Sequence, residues 1–275
     1  MQDTAIKERS RGKSIGFVPT MGALHEGHLA LIRAARAEND LLVASIFVNP
    51  AQFSQGEDFA QYPRDMAQDM EKLAGANVDL LFLPDTAAMY PDGFASWTEV
   101  EGLSEKLCGP SRPGHFRGVA TIVLKLLNIV QPARAYFGQK DYQQSLIIRR
   151  LVRDLNLTPE IVVCPTLREE DGLAMSSRNA YLSPKERAAA TVLYRALAAG
   201  AEKIKSTRAT GEIKNAIHEV LRAEPLVSEV QYASAYDAET LDEPETLKGP
   251  TALLAGAIII GRTRLIDNLI LNDLK

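Results

Sequence analysis

Short, unbroken apolar runs alternate along the first two-thirds of the chain with stretches whose apolar positions recur every three or four residues. Residues 15–19 (IGFVP), 41–48 (LLVASIFV), 79–83, 133–137 and 160–164 read as strands apolar on both faces. Between them, residues 27–38, 64–73, 119–130 and 142–155 carry a helical period; in the first, Leu29, Ile32 and Ala35 share a face while Arg33 and Arg36 turn outward. Strands apolar on both faces and separated by helices predict a parallel sheet covered on both sides. Right-handed crossovers then make it a Rossmann-like, doubly wound α/β domain.

Near Asn179 the pattern changes. Ser183-Pro184-Lys185-Glu186 combines a capping serine, a proline at the first helical position and a glutamate three residues after the cap. A long helix to about Lys205, a second over 211–223 and three strand-like runs (229–236, 253–260, 265–271) predict a smaller C-terminal α+β domain. The expected division is 1–176 and 177–275, with a hinge near 177–183.

Ligands of doubly wound sheets gather at the carboxyl ends of the strands, and the unusual residues fall there. The first strand runs into Pro19-Thr20-Met21-Gly22-Ala23-Leu24-His25-Glu26-Gly27-His28. Its glycines admit close backbone approach, and two histidines three apart at a helix start can point the same way. The helix N-terminus offers N–H groups to phosphate, and the imidazoles can stabilise charge growing there. A zinc site would need three or four clustered ligands, and only His115, His218, Cys108 and Cys164 remain to complete one.

The second strand ends in Ser45-Ile46-Phe47-Val48-Asn49-Pro50-Ala51-Gln52-Phe53, whose amides Asn49 and Gln52 can hold a small polar acid. An asparagine before proline also commonly satisfies its own turn, so Gln52 is the stronger ligand candidate. Arg112-Pro113-Gly114-His115-Phe116-Arg117-Gly118 gathers cationic side chains in a glycine-bounded loop, which suits anions without arguing catalysis. Phe137-Gly138-Gln139-Lys140-Asp141-Tyr142-Gln143-Gln144 follows another strand; Lys140 can meet a phosphate as a point charge, and Gln144 lies one turn beyond it. Asp171-Gly172-Leu173-Ala174-Met175-Ser176-Ser177-Arg178-Asn179 offers two hydroxyls and a guanidinium to a pyrophosphate, or serves as an interdomain linker, or does both as a lid.

Composition narrows the function classes. With 31 Lys+Arg against 35 Asp+Glu the net charge is −4, which gives no broad field for nucleic acid or anionic lipid. The longest apolar runs, such as 251–260, are broken by glycine and fall short of the roughly 20 residues that span a bilayer. Two distant cysteines form no disulfide framework, so a cytoplasmic location is expected.

The PTMGALHEGH string resembles the HxGH signature of nucleotidyltransferases and class I aminoacyl-tRNA synthetases. In this extended form, with SIFVNPAQF, RPGHFRG, FGQKDYQQ, DGLAMSSRN and Arg264-Leu265-Ile266-Asp267-Asn268, it resembles the pantothenate synthetase (pantoate–β-alanine ligase) family along nearly the whole chain. Before the first strand that family generally carries a further strand and a fuller helix, so residues 1–14 depart from it. The resemblance implies the nucleotidyltransferase type of Rossmann-like sheet and a two-step reaction. ATP and (R)-pantoate give pantoyl-adenylate and pyrophosphate; β-alanine then displaces AMP to give pantothenate. It implies ATP contacts at 21–28, 138–141, the Leu167 backbone and 175–178. Gln52, Gln144 and Asn49 would bind substrate, Gln52 and Gln144 contacting pantoate and Gln52 also lying near β-alanine. His25, His28, Lys140 and Arg178 would be catalytic, with His28 as proton donor. Mg²⁺ would enter with ATP, with Asp58 and Asp141 as candidate ligands, and the family resemblance suggests a homodimer through the N-terminal domain. Two alternatives stand beside it: a transferase acting on another acid, and a nucleotide-binding module without catalysis. The module would leave the joint presence of Gln52, Gln144, Lys140 and the SSR loop unexplained.

Overall fold

The computed structural model describes residues 1–54 and 56–274. Its helices and strands follow in the order α1 (Gln2–Ser10), β1 (Ile15–Thr20), α2 (Glu26–Glu38), β2 (Leu41–Ile46), α3 (Met66–Gly75), β3 (Leu80–Phe82), α4 (Thr86–Met89), α5 (His115–Val130), β4 (Arg134–Gly138), α6 (Tyr142–Asp154) and β5 (Glu160–Cys164). Then come α7 (Pro184–Ala189), α8 (Val192–Lys203), α9 (Thr210–Arg222), β6 (Val227–Asp237), β7 (Ala252–Ile260) and β8 (Thr263–Leu271).

Strands β1–β5 form one parallel sheet in the order β3-β2-β1-β4-β5. The order reverses between β1 and β4, which makes this the switch point where the loops leaving two neighbouring strands part to opposite faces. All six residues of β2 are buried, as a strand covered on both faces requires. Val18, Leu42 and Ala44 meet Leu31, Ile32 and Ala35 of α2 and Leu73 of α3 in one apolar cluster. The edges of the sheet are β3 and β5, so the residues before β1, which fold as α1, take no part in them.

The chain divides into two compact units. The first comprises Met1–Glu105, Arg112–Gln139 and Gln143–Pro165 and holds this sheet; the second comprises Lys106–Ser111, Lys140–Tyr142 and everything from Thr166 onward. The second unit therefore starts before the expected hinge and takes in two short earlier segments. Its sheet is antiparallel, β6-β7-β8, with Leu193, Leu197, Ile213, Ile217 and Leu221 of α8 and α9 packed on Leu254, Ile258 and Ile260.

Most boundaries fall within two residues of the expected ones, and several of the differences have local causes. Helix α3 starts after Asp65, not at Arg64, because the Asp65 carboxylate accepts from the Gln68 amide as an N-cap. Helix α5 begins at His115, earlier than expected, because Gly114 supplies a left-handed cap at φ 78°. The single helix expected to about Lys205 is interrupted between α7 and α8. There the Thr191 hydroxyl donates to the Ala188 carbonyl at 3.1 Å and competes with the helical ladder, while the backbone stays right-handed.

One buried polar junction ties the sheet to α2. The Tyr136 hydroxyl on β4 accepts from Asn39 Nδ2 at 2.7 Å and donates to Glu38 Oε2 at 2.7 Å, and the same Asn39 amide donates to the Ala35 carbonyl. Burial, aided by the neighbouring Glu38, pushes the Tyr136 phenol up to about 12, so it stays protonated and keeps donating. Tyr136→Phe strands an Asn39 N–H in the core and should lower unfolding free energy by about 1–3 kcal/mol. Urea denaturation measures it, and a loss near zero would mean that the amide finds another acceptor.

Candidate active site

The first site segment is a five-residue passage from β1 to α2. Gly22 and Ala23 both sit at positive φ, 81° and 51°, a costly conformation for alanine. Asp69, buried on α3, answers that cost: one carboxylate oxygen accepts from the Ala23 amide at 2.8 Å, the other from the Leu24 amide at 2.7 Å. The Thr20 hydroxyl accepts from the Gly22 amide and donates to the Ser45 carbonyl, so the turn is fixed at both ends. Leu24 enters the core and seats the start of the helix.

The histidines cap α2 reciprocally. His25 Nδ1 accepts from the Gly27 amide at 3.1 Å, and His28 Nδ1 accepts from the His25 amide at 3.3 Å. The rings lie 4.1 Å apart between centroids, tilted by 42°. An imidazole that accepts at Nδ1 carries its proton, when neutral, on Nε2. Both rings are thereby held as Nε2–H donors. The open amides expected at this helix N-terminus are partly used: those of His28 and Leu29 donate to the His25 carbonyl, and that of Gly27 to the His25 ring. What the turn offers an anion is the positive end of the helix and two oriented imidazoles. Glu26 is exposed and pairs with Arg33 along the helix surface.

The segment after β2 folds over the same turn. Gln52 Nε2 donates to Met21 Sδ at 2.9 Å, which brings the PTMGALHEGH and NPAQ motifs together. Asn49, 1% exposed, uses all four of its hydrogen-bonding positions. Its Nδ2 donates to Gln52 Oε1 and to the Gly118 carbonyl; its Oδ1 accepts from the Ala51 amide and the Tyr90 hydroxyl. The saturated amide marks Asn49 as the residue that orients Gln52. Burial raises the Tyr90 phenol to about 12 and keeps that donor protonated.

RPGHFRG holds the Gln52 backbone from the other side. His115 Nδ1 donates to the Gln52 carbonyl at 2.7 Å, and Arg112 Nη1 donates to His115 Nε2 at 2.8 Å. Arg112 also grips Glu57 through two hydrogen bonds, at 2.8 and 2.7 Å. Burial pushes the Glu57 carboxyl up, but the adjacent guanidinium outweighs it and holds the group below the usual carboxylate range. Where α5 crosses this segment there is room only for glycine: a Cβ on Gly118 would lie 2.1 Å from the Ala51 carbonyl oxygen. Arg112 and His115 are thus engaged within the protein and support the Gln52 segment, while Arg117 is exposed and lies over the Trp97 ring at 4.8 Å.

The loop after β4 opens at Gly138, where a Cβ would meet no protein atom within 4 Å. Gln139, Lys140 and Asp141 form a single 3-10 turn, and Gln144 lies half-buried on the first turn of α6. Its neighbour Gln143 is buried and donates to the Leu103 carbonyl.

In the second unit, residues 167–175 close on themselves as a small hairpin. Arg168 bridges Ala174, and the Met175 amide donates to the exposed Leu167's carbonyl at 3.0 Å. Ser176 caps the following 3-10 turn, its hydroxyl accepting from the Arg178 amide. Ser177 and Arg178 are half-buried in that turn. Lys140 and 175–178 thus belong to the second unit, while 21–28, Asn49, Gln52 and Gln144 belong to the first.

Asp69, Glu57 and Tyr90 escaped the sequence reading. For Asp69 a signal existed: it stands one helical turn before the core residue Leu73, on the inward face of α3. Among the described residues, no group of three or more His, Cys, Asp or Glu side chains could hold a metal ion. None of their helices is long and apolar enough to cross a membrane.

Comparison with known proteins converges on one group. The family model described as pantoate-beta-alanine ligase matches residues 1–270. Pantothenate synthetase of Thermodesulfovibrio yellowstonii is 60% identical, over 98% of this chain and 96% of its own. That of Moorella thermoacetica is 56% identical, over 96% and 93%. The crystal structure of the Thermus thermophilus enzyme superposes with a TM-score of 0.91 at 49% identity, covering 96% of both chains. That of Francisella tularensis pantoate-beta-alanine ligase, complexed with beta-gamma ATP and beta-alanine, gives 0.77 at 38% identity, covering 98% of this chain and 95% of that one.

Two glycine variants separate packing from ligand space. Gly118→Ala drives a methyl into the Ala51 backbone and should cost about 1–3 kcal/mol of stability. Gly138→Ala meets open space and should stay within about 0.5 kcal/mol of the parent. Equal losses in urea unfolding would contradict the close approach at Gly118.

Proposed function

This chain belongs to the pantoate–β-alanine ligase family and joins pantoate to β-alanine in an ATP-dependent reaction, and we propose that it does so in two steps through a pantoyl-adenylate. In the first, a carboxylate oxygen of (R)-pantoate attacks the α-phosphorus of ATP and the bond to the bridging oxygen of pyrophosphate breaks. In the second, the amine of β-alanine attacks the acyl carbon, AMP leaves with the bonding electron pair, and the amine gives up a proton. A carboxylate with an ordinary pKa of about 4 is already ionised at neutral pH, so the first step needs placement and charge stabilisation rather than a strong base.

In this reading the nucleotide is held by 21–28, 138–141, the Leu167 backbone and 175–178. The Nε2–H groups of His25 and His28 bear on the α-phosphate as charge builds up, with His28 as proton donor. Lys140 supplies a full positive charge, and Arg178 with Ser176 and Ser177 holds the β- and γ-phosphates. Gln52 and Gln144 bind pantoate, Gln52 lies near β-alanine, and Asn49 acts through Gln52. The observation that carries the reading is the pair of imidazoles fixed as Nε2–H donors where the central strand ends at the switch point of the sheet.

Mg²⁺ enters with ATP, borne mainly by its phosphates and water. Such an ion would need only one or two carboxylates from the protein, for which Asp58 and Asp141 are each candidates. Reaction in the cytoplasm fits Cys108 and Cys164, both present as thiols. The working form we propose is a homodimer through the first unit; sedimentation equilibrium at micromolar concentration should return twice the chain mass, and a monomer would refute it.

ATP, Mg²⁺ and pantoate should release pyrophosphate, and adding β-alanine should release AMP. His28→Ala should reduce turnover about a hundredfold or more, on the order of 3 kcal/mol of transition-state stabilisation. The lost hydrogen bond to the His25 amide should cost only about 1 kcal/mol of stability. Pyrophosphate release at the parental rate in this variant would remove His28 from the mechanism, and turnover only with another acid would point to a related transferase.

A further inference from the structure

The RLIDN segment on β8 has no part in the reaction as described so far, yet it carries two of the most buried polar side chains in the second unit. Asp267 is 4% exposed and Asn268 3%. Asn268 Nδ2 donates to the backbone carbonyl of Lys140 at 2.9 Å. Asp267 receives Arg168 through a two-pronged pair, Nη1 at 2.6 Å and Nη2 at 2.9 Å, and accepts from the Asn268 amide at 2.7 Å. The same guanidinium donates to the carbonyls of Gly172 and Asn268 and lies over the Tyr194 ring at 4.3 Å.

These contacts form one continuous path: the hairpin of residues 167–175, then Arg168, Asp267, Asn268, then the carbonyl of Lys140. We propose that Asn268 is a positioning residue for Lys140, held at its working height by the Arg168–Asp267 pair, an inference that rests on Lys140 meeting the nucleotide's phosphates.

Three physical points support it. The turn Gln139–Asp141 is a single three-residue 3-10 turn, and the Asn268 amide ties its backbone from outside. The Lys140 ammonium rides on four flexible carbons, so its reach is set by where the backbone stands. The Asp267 carboxylate is taken up by Arg168 and the Asn268 amide, so it organises its surroundings rather than serving as the counter-ion of Lys140. Burial pushes that carboxyl up, against the lowering exerted by the nearby Arg168 and Lys140 charges. The bidentate guanidinium is what allows a carboxylate to remain there.

The test is a two-residue cycle on the full-length chain, read as pyrophosphate release from ATP, Mg²⁺ and pantoate. Asn268→Asp turns the donor into an acceptor facing the Lys140 carbonyl at almost unchanged volume; it should slow release about 10- to 100-fold. In a Lys140→Ala background the same substitution should change the residual rate less than twofold. A parental rate in folded Asn268→Asp, or losses that multiply in the double variant, would overturn the proposal while leaving the role of Lys140 standing. Full activity in Lys140→Ala would overturn both. If Asn268→Asp does not fold, Asn268→Ser, too short to reach the carbonyl, takes its place in the same cycle. If neither folds, Asn268 serves stability and the proposal falls.

Discussion

Between Thr20, which ends β1, and Glu26, which opens α2, the chain has five residues in which to turn from the sheet onto its face. It manages this by placing Gly22 and Ala23 in succession on the left-handed side of the backbone map. Glycine accepts that conformation freely; alanine does so at a cost of roughly 1–2 kcal/mol. Two charge-assisted hydrogen bonds, donated by the Ala23 and Leu24 amides to the Asp69 carboxylate, more than offset it. Everything downstream inherits the result. Because the turn ends where it does, His25 falls at the N-cap and His28 one turn later, and each ring accepts a backbone N–H at Nδ1. The tautomer that suits a phosphate is therefore a consequence of helix capping.

The same economy recurs at the second strand. Gln52 is oriented from its side chain by Asn49 and Met21, and from its backbone by His115 and Arg112. Two neighbours hold its side-chain amide and two hold its backbone carbonyl. Each contact is worth only about 1 kcal/mol alone, but the backbone pair fixes where the side chain starts and the side-chain pair restricts its rotamers before any ligand arrives. Gly118 lets α5 come near enough for its carbonyl to hold Asn49.

The fold was legible because its signals are local. Unbroken apolar runs such as LLVASI and the 3.6-residue period of 27–38 admit few alternatives, and turn chemistry set most boundaries. The break at Thr191 was not legible: neither glycine nor proline marks it, and the backbone stays right-handed through it. In the candidate site the motif segments were legible as abrupt changes of residue type at strand ends. Their supports were not. Asp69 reads as one more acid on a helix, and Arg168 meets Asp267 across 99 residues of sequence. A single sequence gives no sign of such a pairing.

Net charge −4 has a further consequence. With no net positive field to draw in a nucleotide triphosphate, binding rests on groups that act at hydrogen-bond distance. The neutral donors proposed to meet substrate are the amides of Gln52 and Gln144 and the hydroxyls of Ser176 and Ser177. Neutral donors are cheaper to desolvate than cations, but they act only if they are aimed correctly. That is why so much of the surrounding polar structure aims rather than binds. The buried Arg168–Asp267 pair adds little net stability by itself. It is understandable as structure that fixes where a neighbouring backbone stands, as Asp69 does for the first turn.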